Sequence, residues 1–238
     1  MNLTDFDALS FDCYGTLIDW EDGLKGGLMK VAALAPGAPD LDTLLETYGV
    51  EESRIEREHP GLRYPEVIAR AIIATGKAHN ITVPDRLAAD IGHSVPEWRA
   101  FPDSTDALQR LKERYQLVIL SNVDRGSFAG SNTRLGVEFD AIITAEDVGS
   151  YKPDPRNFDA LFARIDEIGI PRERLLHVAQ SLFHDHVPAK AAGMTTVWID
   201  RRGNKPGAGA TPIPDDAVQP DWTFPSMAAF ADAVDADS

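Results

Sequence analysis

The chain has 238 residues with 38 Asp or Glu against 23 Lys or Arg, a formal charge of −15 with its six His neutral. A field of that sign repels nucleic acid and anionic membranes, so neither is an expected partner, while a small anion stays admissible where local cations offset it. Hydrophobic residues at 43% exclude a disordered chain and allow one large domain or a domain carrying an insertion. The N-terminal Met1-Asn2-Leu3-Thr4-Asp5-Phe6-Asp7 lacks the basic start of a signal peptide. No apolar run approaches the roughly 20 residues of a membrane helix. The single cysteine, Cys13, has no partner for an internal disulfide. A soluble cytoplasmic protein is the expectation.

In chain order, Asp7 to Asp12 alternates apolar and polar residues as a short strand does and runs into Gly15-Thr16. From Asp22 to about Arg99 the spacing is helical: Leu24, Leu28 and Val31, then Leu41, Leu44, Leu45 and Tyr48, then Val67, Ile68, Ala71 and Ile72. After Phe101-Pro102 a helix carrying Ala107, Leu108 and Leu111 precedes the apolar run Gln116 to Leu120. The unit then repeats: helix 124–135 and strand 140–144, helix 155–168 and strand 175–179, helix 184–193 and strand 195–199. Continuous apolar strands alternating with helices imply a parallel sheet covered on both faces. The expected fold class is α/β, a doubly wound core of residues 1–16 and 101–238 with a helical insertion at 17–100. Residues 201–220, with three Gly and four Pro, read as a long exposed flap or lid.

In open parallel sheets, ligands bind outside the carboxyl ends of the strands. Four groups fall at such ends: Asp12 to Thr16, Ser121-Asn122, Tyr151-Lys152 and Gln180 to Asp185. Asp12 ends the first strand, where a carboxylate either caps a turn or attacks an electrophilic carbon or phosphorus. Lys152 either pairs with Asp12 and keeps it ionised or salt-bridges a surface acid. Cys13 is expected to face the opposite side of the strand and pack in the core. His184 and His186 are two residues apart, do not share a helix face and have no further Cys or His to complete a zinc set. Tyr14, Trp20 and Trp98 are expected to wall a pocket.

Phe11-Asp12-x-Tyr-Gly-Thr-Leu, Leu120-Ser121-Asn122, Tyr151-Lys152-Pro153-Asp154-Pro155 and the segment ending at Asp185 resemble the four motifs of the haloacid dehalogenase superfamily. Their order spans nearly the whole core, and the insertion after the first motif resembles that superfamily's helical cap. Tyr14 resembles the L-2-haloacid dehalogenase branch, where phosphatases of the superfamily carry a second Asp. The resemblance implies hydrolysis of a small 2-halo acid in two steps. Asp12 would expel halide and form an ester that water then cleaves. Lys152 would stabilise charge at Asp12, Asp185 would orient or activate the water, and Thr16, Ser121 and Asn122 would donate hydrogen bonds. Tyr14 would wall the substrate.

The same resemblance implies no cofactor and no metal, with Asp12 and Asp185 able to hold Mg²⁺ only weakly, because Gln180 replaces the first acid of the phosphatase motif. Homodimers are common in the resembled family. The chain departs from the dehalogenase branch at Phe158, where that branch has Tyr, and at Gln180 and Leu182, where it has Ser and Asn. For its early cap Arg the nearest candidates are Arg54 and Arg57, either of which suits a substrate carboxylate. The rival readings are a Mg²⁺-dependent phosphatase of small phosphomonoesters and a non-catalytic binding protein on the same fold.

Overall fold

In a computed structural model, residues 2–203, 210–214 and 216–237 are described. Six parallel strands form one sheet in the order β3-β2-β1-β4-β5-β6. They are β1 (Ala8–Phe11), β2 (Gln116–Ser121), β3 (Ala141–Thr144), β4 (Leu175–Ala179), β5 (Thr195–Ile199) and β6 (Trp222–Phe224). The chain order reverses between β1 and β4, which sets the crevice of a doubly wound sheet at the end of β1. The expected fold class is the observed one.

Alternate strand residues feed two cores. Leu9, Phe11, Leu117, Ile119, Leu176 and Val178 pack on one face, while Ala8, Val118, Leu120 and Leu175 pack on the other with Phe158, Leu161 and Ile165. The latter three lie on a helix of residues Arg156–Glu167. Cys13 is buried in the first core, as expected.

Between β1 and the next core helix (Ser104–Lys112) lie α1 (Trp20–Ala32), α2 (Leu41–Glu58), α3 (Tyr64–Ala78) and α4 (Asp85–Gly92). The acids ahead of α1 and α2 fix their starts: Asp19 accepts from the Asp22 amide and Asp40 from the Thr43 amide. The chain leaves and re-enters the core side by side, with Ile18 bridged antiparallel to Ala100 and the Phe101 amide bonded to the Leu17 carbonyl.

Three features differ from the sequence expectation. The predicted helix 184–193 is a π-helical turn over Leu182–His186 followed by a short helix, Val187–Ala191. β6 and a terminal helix, Met227–Ala236, complete the sheet edge and its cover and have no counterpart in the sequence reading. Of the expected flap, residues 204–209 and 215 lie outside the described residues. The described part is anchored: Arg201 grips Asp103 at 2.8 and 2.9 Å, and both its Nε and its Nη2 reach the Thr16 carbonyl. Among the described residues no helix is long and apolar enough to cross a membrane.

Candidate active site

Asp12 follows β1 at the sheet's reversal, and its amide bonds to the Val178 carbonyl of β4, so the strand pairing itself fixes the carboxylate. The tight turn after it needs Gly15, whose φ of +92° disfavours a side chain. Thr16 closes the turn by donating to Asp12 Oδ2 at 2.7 Å and accepting from the Gln180 amide at 2.9 Å.

Lys152 is buried at the centre. Its Nζ donates to Asp12 Oδ1 at 3.0 Å, to Asp185 Oδ1 at 2.6 Å and to the Leu120 carbonyl at 2.9 Å. An ammonium has three N–H groups, so all are committed. The backbone of Lys152 is held by Asn122, whose amide accepts from the Lys152 N–H at 2.7 Å and donates to its carbonyl at 3.0 Å.

Burial pushes Asp12 above the ordinary carboxylate range, against the pull of Lys152 and Thr16. Burial alone would raise Asp185 too, but the Lys152 charge and the His177 hydrogen bond hold it well below that range. The two carboxylates reverse the burial effect on Lys152 and hold it protonated.

His177 extends the cluster behind the sheet. Its Nε2 lies 3.0 Å from Asp185 Oδ1 and its Nδ1 lies 2.9 Å from Ser10 Oγ, with both residues fully buried. Sequence reasoning missed His177. The available signal was a polar pair, Ser10 and His177, in register on adjacent apolar strands.

A pocket forms between this cluster and the cap helices. Of the sequence candidates, Asp12, Tyr14, Ser121, Asn122, Lys152 and Asp185 line it, as does Trp20. Thr16 contributes through Asp12. Ser121 Oγ is buried there without a hydrogen-bond partner among the described residues, so it is a donor available to a ligand. Asn122 lines the pocket with one of its two amide N–H donors and its amide oxygen engaged by the Lys152 backbone. Tyr14 donates to or accepts from Ser131 Oγ at 2.9 Å, and its ring lies between Tyr64 and Trp98.

The two candidate arginines are not brought to this pocket. Arg54 points along the surface of α2 and pairs with Glu51 at 2.7 Å and Glu58 at 2.6 Å. Arg57 is exposed and lines a neighbouring cavity instead. The face of α2 that meets the pocket carries Glu52 and Glu56, one turn apart and 4% and 6% exposed. Tyr48 and Tyr64 donate to Glu52 Oε1 at 2.7 and 3.0 Å, and Trp20 Nε1 donates to the Tyr64 hydroxyl at 2.9 Å. Burial lifts Glu52 to about 7 against the pull of the two tyrosines. Phe158 packs its ring against His177 in the second core, away from the pocket. His184 and His186 are committed separately, to Ser181 and to the Ala179 carbonyl, and burial drops each to about 4.

A parallel α/β sheet with an aspartate at its reversal point, a buried lysine beside it and a helical insertion over it defines a class of hydrolases. Residues 6–193 match the family model of haloacid dehalogenase-like hydrolases, and the chain belongs to that family. It is 27% identical over 238 aligned residues to (S)-2-haloacid dehalogenase H-109 of Pseudomonas putida, covering 91% of this chain and 97% of that one. It is also 27% identical to (S)-2-haloacid dehalogenase 4A of Burkholderia cepacia over 203 residues, 84% of this chain and 85% of that one. Its fold superposes on the L-2-haloacid dehalogenase structure from Xanthobacter autotrophicus with a TM-score of 0.77 at 18% identity, over 97% of this chain and 98% of that one.

Proposed function

We propose that the chain hydrolyses the carbon–halogen bond of a small 2-haloalkanoic acid through an ester on Asp12, without a metal. The observation that carries this reading is the Lys152 ammonium bonded to both Asp12 and Asp185. It occupies the point where the two carboxylates converge, and the adjacent position that would add a third carboxylate is the amide Gln180. Mg²⁺ needs several carboxylate or water oxygens in an octahedral shell. These residues do not fit that ion, and they do fit a carboxylate held ionised for attack on carbon. The dehalogenase relatives support the same substrate class.

In the first step an Asp12 oxygen bonds to C2 as the C2–halogen bond breaks, and the electron pair leaves with the halide. Thr16 and Lys152 hold the carboxylate in line. Ser121 Oγ, buried and free to donate, meets the substrate carboxylate. In the second step water adds to the carbonyl carbon of the ester. Asp185 Oδ2 has no hydrogen-bond partner among the described residues and lines the pocket, so it receives one water proton. The alkoxide of the 2-hydroxy acid leaves and takes the other proton, and Asp12 is regenerated. Asp185 then releases its proton to solvent, so each turnover yields one halide and one proton.

The test is intact-mass spectrometry of Asp185→Asn incubated with 2-chloropropanoate after chelator treatment. An ester adduct that is absent from Asp12→Asn is expected. No adduct, together with phosphate release from phosphomonoesters only on adding Mg²⁺, refutes the proposal in favour of a phosphatase.

A further inference from the structure

The cap side of the pocket has a chemistry that the 2-halo acid alone does not use. We infer that Glu56, backed by Glu52 and walled by Tyr14, Trp20 and Tyr64, receives a substrate ammonium group, so that the substrate class is an amino-substituted 2-halo acid. The inference rests on the dehalogenase reading for the halogen only.

Three observations carry it. Glu56 is 6% exposed, lines the pocket, and its carboxyl has no hydrogen-bond or ion-pair partner among the described residues. A buried carboxyl without a partner is costly unless something is recruited to it. Its neighbour Glu52 is satisfied by two tyrosine hydroxyls and holds the wall in place, so Glu56 is the group with open valence.

The second observation is the aromatic lining. Tyr14 and Tyr64 stand with ring centroids 6.1 Å apart, and Trp20 is tied to Tyr64 by its indole N–H. Aromatic faces beside a carboxylate attract ammonium groups and give nothing to an anion. The third is the placement of cations. Among the described pocket-lining residues Lys152 is the sole cation, and its three donors are spent on the core. Arg54 and Arg57 lie outside this pocket, so among its described lining residues no cap side chain answers a second anionic group.

Burial and the adjacent Glu52 push the Glu56 carboxyl well above its ordinary range, a cost that an ammonium in contact with it relieves.

The test separates recognition from chemistry. Tryptophan fluorescence titrations compare β-alanine with propanoate, which differ only by the ammonium, in the wild-type protein and in Glu56→Gln. β-Alanine is expected to bind about tenfold more tightly, with the ratio falling to about one in the variant. Propanoate binding within twofold of β-alanine, binding of neither, or a preference that survives Glu56→Gln overturns the inference. Tighter propanoate than β-alanine would show instead that Glu56 is a neutral acid donating to anions. The wild-type comparison stands even where the variant does not fold. Chloride release from 3-amino-2-chloropropanoate against 2-chloropropanoate then tests the link to catalysis. Selective β-alanine binding with chloride from neither compound would refute the dehalogenase reading and leave the ammonium site standing.

Discussion

Lys152→Met removes one ammonium and leaves two carboxylates. Asp12 Oδ1 and Asp185 Oδ1 lose a partner at 3.0 and 2.6 Å, and both side chains are at least nine-tenths buried. Breaking a buried pair by deleting one partner costs about 3–5 kcal/mol. For a chain of this size each kcal/mol moves Tm by roughly 2–4 °C, so a fall of about 6–20 °C is expected at pH 7. The sign of the pH dependence sharpens the test. Burial already holds the folded-state Asp12 carboxyl above its ordinary value of 3.8, losing the ammonium raises it further, and a group raised on folding contributes stability that is lost as pH rises. The deficit should therefore shrink as pH falls from 7 to 5, and adding Asp185→Asn should recover part of it at pH 7. Thermal unfolding by circular dichroism reads all three. A single variant within 1 kcal/mol of wild type, or a deficit that grows on acidification, would refute the central placement of Lys152.

Glu52 supplies an independent check, because burial raises it from 4.5 to about 7. The wild type should lose about 2–3 kcal/mol more than Glu52→Gln between pH 5 and 8, measured by urea unfolding, and equal slopes would contradict that burial. Gly49 on α2 faces the 210–214 segment, and a Cβ there would lie 2.0 Å from the Ala210 carbonyl oxygen. Gly49→Ala should cost about 1–3 kcal/mol in urea, whereas Gly26→Ala, whose Cβ meets nothing within 4 Å, should be neutral or slightly stabilising. Matching costs at the two positions would show that segment to lie elsewhere.

The sheet is legible because its strands are buried on both faces and so appear as apolar runs too short for helices. The site is legible because topology gathers strand ends that are distant in sequence: Asp12, Ser121, Lys152 and Asp185 span most of the chain and meet at one reversal. β6 escapes the same reading since it has three residues, none of them buried, after a stretch rich in Gly and Pro. The terminal helix MAAFADAVDA places Met227, Phe230, Ala231 and Val234 inward, but its alanines blur the contrast between faces. On α2 the periodicity was sufficient, and the residue types misled. Glu52 and Glu56 share the inward face with Tyr48 and Ile55, and composition assigns acids to solvent and arginines to ligands. Acids in phase with an apolar stripe are the signal that identifies such a wall.

The overall charge of −15 leads to the expectation of local cations that offset it for an anionic substrate. The described pocket instead carries Asp12, Asp185, Glu52 and Glu56 around a single lysine. Lys152 is not a counterweight for the substrate, because its charge and all three donors are consumed in keeping two buried carboxylates folded and ionised. On the proposed dehalogenase reading a substrate carboxylate is met by neutral donors such as Ser121, which stabilise it less than a guanidinium would. Binding strength has to come from the other end of the molecule. On the inferred ammonium site the acidic, aromatic cap wall supplies it, and the long-range field that opposes a simple anion does not oppose a zwitterion of zero net charge.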